Sequence, residues 1–226
     1  MLVRSQTAQG GSELRIFHHL DQQPIFDAAV RSFFDPPIAA KNLFFAIEWF
    51  AMDATYNEVR LVNAMTALEN LIDSNLEEDA ALIQNKSAYE KTRKVLRSVI
   101  RTCLAKWSPH GAIEALAELN EKLADLARRS LLRKLTILAA RWQVPLDGIP
   151  DASIRAAKQA RDRVVHRGQY YQDARTDDPD LWAHVTIVRE IVVRFLLAII
   201  GYNGRYSSYV GGCLVAEFPP RALGGN

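Results

Sequence analysis

Apolar residues recur at helical spacing along most of this chain, and polar punctuation between the recurrences predicts the elements. Residues 1–35 carry weak signals: a polar, glycine-containing stretch to Ser12, a short apolar patch at Leu14-Arg15-Ile16-Phe17, then Gln23-Pro24 opening a short helix to Phe34. Asp35-Pro36-Pro37 predicts a helix entry, because Asp accepts orphan amide bonds and proline is tolerated in a first turn. Ile38, Asn42, Phe45, Trp49, Met52 and Tyr56 then alternate in threes and fours, and Leu43, Phe44, Ile47 and Phe50 widen the face. Such a helix is expected at the centre of the core.

A second amphipathic helix is predicted over 57–74, with Leu61, Met65, Leu68 and Ile72 on one face and Glu69 beside them. Glu69, Asp73, Glu77, Glu78 and Asp79 follow with no basic residue between, as in a solvated helix end and loop. The polarity then reverses. Seven basic residues between 86 and 106 face the single acid Glu90, and Arg93, Arg97 and Arg101 stack four apart along one face. They are candidate RNA-phosphate contacts, the alternative being a solvated surface, with Val95, Val99 and Cys103 as the apolar side.

Trp107-Ser108-Pro109-His110-Gly111 breaks helical continuity. Residues 112–142 are helical in spacing throughout, as one long helix or two joined near Arg128-Arg129-Ser130. Residues 144–150 form a turn-rich linker, and Asp151 or Ser153 is placed to cap a further helix that Gly168 ends. Asp177-Asp178-Pro179-Asp180 opens the last helix, 181–200, apolar nearly all round apart from Arg194 and expected in the core or a subunit interface. Residues 206–210 and 213–218, with Gly211-Gly212 between, suit either two short strands or an irregular tail. The sum is an all-α bundle of about five to seven helices. One domain is expected at 36–210, with an N-terminal extension over 1–35 and a tail over 211–226.

Composition adds little to this until the charges are divided. The 226 residues are 49% hydrophobic and 24% charged with a net charge of +2, as in a globular protein able to bury a core. Yet 20 of the 28 basic residues are arginine, a bias toward forked recognition of phosphate or carboxylate. Cys103 and Cys213 lie far apart without metal or redox spacing and are expected to be buried thiols, so neither a metal nor a cofactor is expected. The N-terminus lacks the apolar run of a signal peptide, and the longest apolar stretch, 191–200, falls short of a membrane span. A cytoplasmic protein without a membrane role is the expectation.

The chemistry-bearing stretch is Arg161-Asp162-Arg163-Val164-Val165-His166-Arg167-Gly168. At about 100° per residue, Arg161 falls about 20° from Ile154, inside the stripe that Ala157, Val164 and Val165 define. A guanidinium there cannot shed its charge, so it needs a carboxylate, a phosphate or a subunit boundary. With 20 arginines and 5 histidines, an Arg-to-His spacing of this kind arises about once by chance. Context carries the weight: the Asp directly after the Arg, the apolar Val164-Val165 turn and the helix end at Gly168.

Arg161-Asp162-x-x-x-His166 resembles the signature of the HEPN superfamily of helical ribonucleases and nucleotide-binding proteins. The aromatic helix Phe44-Phe45-Ala46-Ile47-Glu48-Trp49-Phe50, the phrase Ala67-Leu68-Glu69-Asn70-Leu71, the segment Val165-His166-Arg167-Gly168 and the end Gly201-Tyr202-Asn203-Gly204-Arg205-Tyr206 extend it over residues 36–210. In that order they resemble the Apea-type HEPN branch of prokaryotic defence proteins. The resemblance implies a toxin-type or anti-phage endoribonuclease: a homodimer whose two motif helices share a cleft and cleave RNA, such as tRNA, without a metal, under an antitoxin or sensor partner. Arg161 would hold the scissile phosphate, His166 would act as acid or base, and Asp162 would orient the imidazole or pair with Arg161. Arg163 and Arg167 would join the RNA contacts. Two other readings stay open: a non-catalytic nucleotide-, RNA- or protein-binding module, and a structural role in which Arg161 pairs with Glu48 or Glu69 while His166 and Arg167 complement a helix dipole. His18, His19, His110 and His184 belong to no constellation.

Overall fold

The computed structural model describes residues 15–18, 21–76, 81, 82, 85–107, 112–168, 170 and 180–220. The fold is all-α, closed by one short hairpin. In chain order the described elements are α1 (Gln22–Phe34), α2 (Leu43–Ala51), α3 (Asn57–Asn75), α4 (Lys86–Trp107), α5 (Ala112–Asp125), α6 (Leu131–Trp142), α7 (Asp151–Arg167), α8 (Leu181–Ile199), β1 (Gly204–Ser208) and β2 (Leu214–Phe218). Eight helices are thus described, one more than expected. No described helix is long and apolar enough to cross a membrane.

The chain divides into two compact units, residues 1–75 with 135–226, and residues 76–134. In the first unit α3 packs against α2, α7 and α8, and α7 packs against α8. The predicted face of α3 is what it buries: Leu61, Met65, Leu68 and Ile72 are all fully enclosed. Each such side chain contributes about 1.5–3 kcal/mol by leaving water. Helix α8 is sheathed by protein along its length, as its apolar surface required, and Trp142 of α6 meets Phe195 edge-on at 5.8 Å. Strands β1 and β2 pair antiparallel with Gly204 opposite Phe218 and Ser208 opposite Leu214. The earlier expectation shifts by two residues in β1, and the turn is 209–213.

The second unit is an α4–α5 hairpin. Tyr89 Oη donates to the Leu123 carbonyl, and Leu82 N–H donates to the Ala127 carbonyl at 2.6 Å. The helical pattern over 112–142 is two helices, broken near 128–130 as one of the readings had it.

Three expectations are corrected. Asp35-Pro36-Pro37 does not open a helix: Asp35 terminates α1, donating its N–H to the Arg31 carbonyl, and α2 begins only after Asn42, which sits at φ 55°. Nor is α2 central. It buries Ala46 and Phe50 but leaves Phe44, Phe45, Ile47, Trp49 and Met52 exposed, as is Tyr56 beyond it. A nine-residue helix apolar nearly all round can turn only one side to α3, and the spacing does not say which. Cys213, expected to be buried, lies exposed in the hairpin turn, while Cys103 is half-buried.

One polar cluster sits inside the first unit. Glu190 and Arg194 are buried one turn apart on α8, with Arg194 Nε donating to Glu190 Oε1 at 2.9 Å. The Arg194 Nη1 group donates to the carbonyls of Pro145 (3.1 Å) and Asp147 (2.9 Å), and Tyr206 Oη of β1 donates to Glu190 Oε1 at 2.6 Å. The cluster ties α8, the 144–150 turn and the hairpin together.

Two outcomes follow for stability. Arg194→Met leaves a buried carboxylate without its cation and is expected to cost about 3–5 kcal/mol in urea unfolding, against at most about 1 kcal/mol for the exposed Arg155→Met. Burial, and then the bond to Glu190, push the Tyr206 phenol up to about 12. Its folded value lies above its unfolded value near 10, so the stability it contributes is complete below about pH 10 and lost as pH rises through 12. Wild-type stability should fall more steeply than that of Tyr206→Phe between pH 10 and 12; parallel curves would refute the assignment.

Candidate functional site

Helix α7 presents the candidate site. Pro150 stands at its N-cap in extended conformation, with no side-chain cap bond, so neither Asp151 nor Ser153 caps it. Asp151 instead lies in the first turn, 3.7 Å from Arg155. Ile154, Ala157, Ala160 and Val164 form the buried stripe, and Gly168 ends the helix at φ 72°, donating its N–H to the Val164 carbonyl at 2.8 Å. That left-handed position is where glycine is favoured.

Arg161 flanks the stripe half-buried, with its side chain 20% exposed, and both of its terminal amines find carboxylates within the chain. One terminal amine pairs with Glu69 Oε1 on α3, and the other lies 3.3 Å from Asp162 Oδ1. Asp162 Oδ2 in turn accepts from Lys158 Nζ at 2.6 Å. Arg161 Nε is buried with no hydrogen-bond partner among the described residues. Of the two possible pair partners on α2 and α3, Glu69 is realised, while Glu48 is exposed. Asp162 turns its two oxygens to Lys158 and Arg161, and no hydrogen bond joins it to His166 among the described residues.

Two acids and two bases make this row neutral, so Arg161 is held in place while its charge is largely compensated. His166 lies exposed in the last turn, and no hydrogen bond ties its ring to a described residue. Arg163, Val165 and Arg167 are exposed around it. The end of α7 therefore offers a solvent-accessible imidazole, two outer guanidiniums, and a third guanidinium anchored from below. Proton transfer at His166 and anion contact at Arg163 and Arg167 are what such an end can do.

The basic stripe of α4 is different from its expectation. Arg93 is half-buried and pairs with Glu90 at 2.9 Å, Arg97 Nε donates to Asn120 Oδ1 on α5 at 2.7 Å, and only Arg101 of the three is exposed. Val95 and Val99, expected on the apolar side, are 63% and 54% exposed. The helix is turned so that the arginine stems cover the α4–α5 contact, because a long aliphatic stem seals apolar surface while its head reaches a polar partner. Two of the three arginines are thereby committed to structure.

Among the described residues no group of three or more His, Cys, Asp and Glu side chains is placed to hold a metal ion. His18 is exposed, His184 is buried and meets Tyr170 edge-on at 6.0 Å, and His19 and His110 lie outside the described residues. Sequence reasoning missed Glu190 as the partner of Arg194, Tyr206 as a partner of Glu190, and Arg189; the available signal was two arginines and a glutamate in a largely apolar helix.

A double-mutant cycle on Arg161→Gln and Glu69→Gln is expected to give a coupling of about 1–2 kcal/mol by denaturant unfolding, above the usual exposed pair because both groups are part-buried. Coupling below about 0.3 kcal/mol would show the pair to be incidental. No family model, no curated protein and no solved structure matches this chain.

Proposed function

We propose that the protein is a metal-independent endoribonuclease of toxin or anti-phage type, acting in the cytoplasm, with Arg161 and His166 as its central pair and a homodimer as its working form. The observation that carries this reading is the exposed His166 at the end of α7, five residues beyond an Arg161 whose direction is held by Glu69. Cleavage by the adjacent 2′-hydroxyl needs a proton acceptor, a proton donor for the departing 5′-oxygen, and positive charge beside the pentacoordinate phosphorus. His166 supplies one proton-transfer group, and the second copy in a dimer supplies the other. Arg161 meets the phosphate once the RNA draws it from Asp162, leaving Glu69 to hold the guanidinium. Exposed Val165 at 54% and the flanking Arg163 and Arg167 suit a face that a second chain and an anionic strand cover.

One observation favours a second reading. Both terminal amines of Arg161 lie on carboxylates of their own chain, which suits a non-catalytic module that binds RNA, a nucleotide or a protein through the outer arginines.

Incubation with tRNA and total RNA in excess chelator separates the two. The expected outcome is cleavage by wild type, with products ending in 2′,3′-cyclic phosphate, and a loss of at least about 100-fold in His166→Ala and in Arg161→Ala. Intact RNA at every salt and pH, with binding weakened in Arg163→Ala/Arg167→Ala, would replace the nuclease by the binding module. Specific activity should rise with protein concentration as the dimer forms, which sedimentation measures directly.

A further inference from the structure

Arginine 189 has a different environment from every other arginine on α8 or α7. It projects from the same side of α8 as Thr186, Glu190 and Val193, three and four residues apart, and with them lines a narrow cleft whose enclosed part, about 10 Å³, holds about one water-sized group, the remainder being open mouth. Ser207 and Tyr209 at the end of the hairpin, and Ile16 of the N-terminal segment, complete the walls. Ser207 N–H donates to the Ile16 carbonyl at 2.7 Å and Tyr209 Oη donates to the Arg15 carbonyl at 3.0 Å, so the wall is a built one and not a loose flap.

The guanidinium of Arg189 lies over the Phe50 ring, 4.4 Å from its centroid, and no carboxylate pairs with it among the described residues. The one acid in the cleft wall, Glu190, gives its Oε1 to Arg194 and Tyr206. Burial, and next the positive charge of Arg60, hold the Arg189 guanidinium below its ordinary range, with Tyr209 opposing them. Arg60 itself donates Nε to the Ala54 carbonyl at 2.6 Å, and no carboxylate pairs with it among the described residues. Arg189, largely desolvated and paired with no carboxylate among the described residues, costs stability until an anion enters. The ring beneath Arg189 contributes about 0.5–2 kcal/mol, less than a carboxylate would give a buried guanidinium.

We propose that the cleft between α8 and the hairpin, lined by Arg189, Thr186, Ser207 and Tyr209, binds a small phosphate-class oxyanion through the Arg189 guanidinium. The planar fork of Arg189 suits two oxygens of such a group, and the Ser207 hydroxyl can donate to a third, while the Thr186 hydroxyl, which donates to the Ala183 carbonyl at 3.0 Å, serves only as wall. The site is formed by other residues than the end of α7 and stands independently of the nuclease reading. The same chemistry is offered by free phosphate and by the phosphomonoester of a nucleotide.

Calorimetry and thermal unfolding of the full chain in a phosphate-free, low-salt buffer, with inorganic phosphate, AMP and adenosine as probes, test this. Phosphate and AMP should bind and raise the melting temperature, adenosine should not, and Arg189→Gln should weaken binding at least tenfold while melting no lower than wild type without anion. AMP binding tenfold or more above phosphate assigns the site to a nucleoside phosphomonoester; equal binding assigns it to free phosphate. Should Arg189→Gln not fold, Ser207→Ala provides the second arm, with an expected loss of about threefold. Equal phosphate affinity in wild type and these variants, or no binding of phosphate and AMP to wild type, overturns the proposal.

Discussion

The buried pair of Glu190 and Arg194 is the constraint around which the first unit is arranged. A carboxylate and a guanidinium one turn apart on α8 sit where water does not reach, and breaking such a pair exposes the survivor to the full cost of unpaired burial. The pair alone does not satisfy them. Arg194 needs the carbonyls of Pro145 and Asp147, so the linker before α7 must close against α8; Glu190 needs the phenol of Tyr206, so β1 must return to the same helix. Two connections that carry no apolar periodicity of their own are thereby given definite positions. Apolar burial supplies the larger favourable energy, but it is non-directional, and the cluster selects which loop and which strand meet α8.

That division of labour explains what could be read in advance. Helix α3 was legible, with Leu61, Met65, Leu68 and Ile72 all enclosed, because its largest apolar residues share one face, even though Asn57 and Asn63 are buried beside them and Val59 is exposed. The end of α7 was legible for the same reason, aided by glycine at a left-handed position. Helix α2 was misjudged because Phe44, Phe45, Ile47, Trp49 and Phe50 surround it, and spacing cannot choose a face when nearly every face is apolar. Helix α4 was turned the wrong way because Arg93 and Arg97 were counted as charges, although their stems are aliphatic and their heads found Glu90 and Asn120. In both cases the missing information is the partner surface, which lies distant in sequence.

The candidate site was legible in part. Arg161 was singled out as a charge on an apolar stripe, and the structure supplies the carboxylate that such a position demands. Which carboxylate could not be told from the chain, since Glu48 and Glu69 were equally available in composition; the packing of α7 on α3 brings Glu69 to it. The role of Asp162 follows from the same geometry. It lies beside Lys158 and Arg161, and no hydrogen bond joins it to His166 among the described residues, so the imidazole is open to whatever approaches the helix end from outside.

Three arginines of the first unit thus pose one problem and receive three answers. Arg194, the most buried, is matched by a carboxylate and two carbonyls; Arg161, part-buried, is matched by two carboxylates; Arg189 is set over an aromatic ring beside a second arginine. Desolvation rises with burial, and protein partners increase along with it in the first two cases, as a fold selected for stability requires. The third departs from that order. Replacing Arg189 by a neutral residue would remove a repulsion and a desolvated charge at the loss of one ring contact, so stability alone gives little reason for a cation there. A charge that pairs with no carboxylate among the described residues and opens on a cleft beside the Ser207 hydroxyl is explained when its partner is a solute and not a side chain, because the favourable energy then arises on binding and is absent from the empty fold.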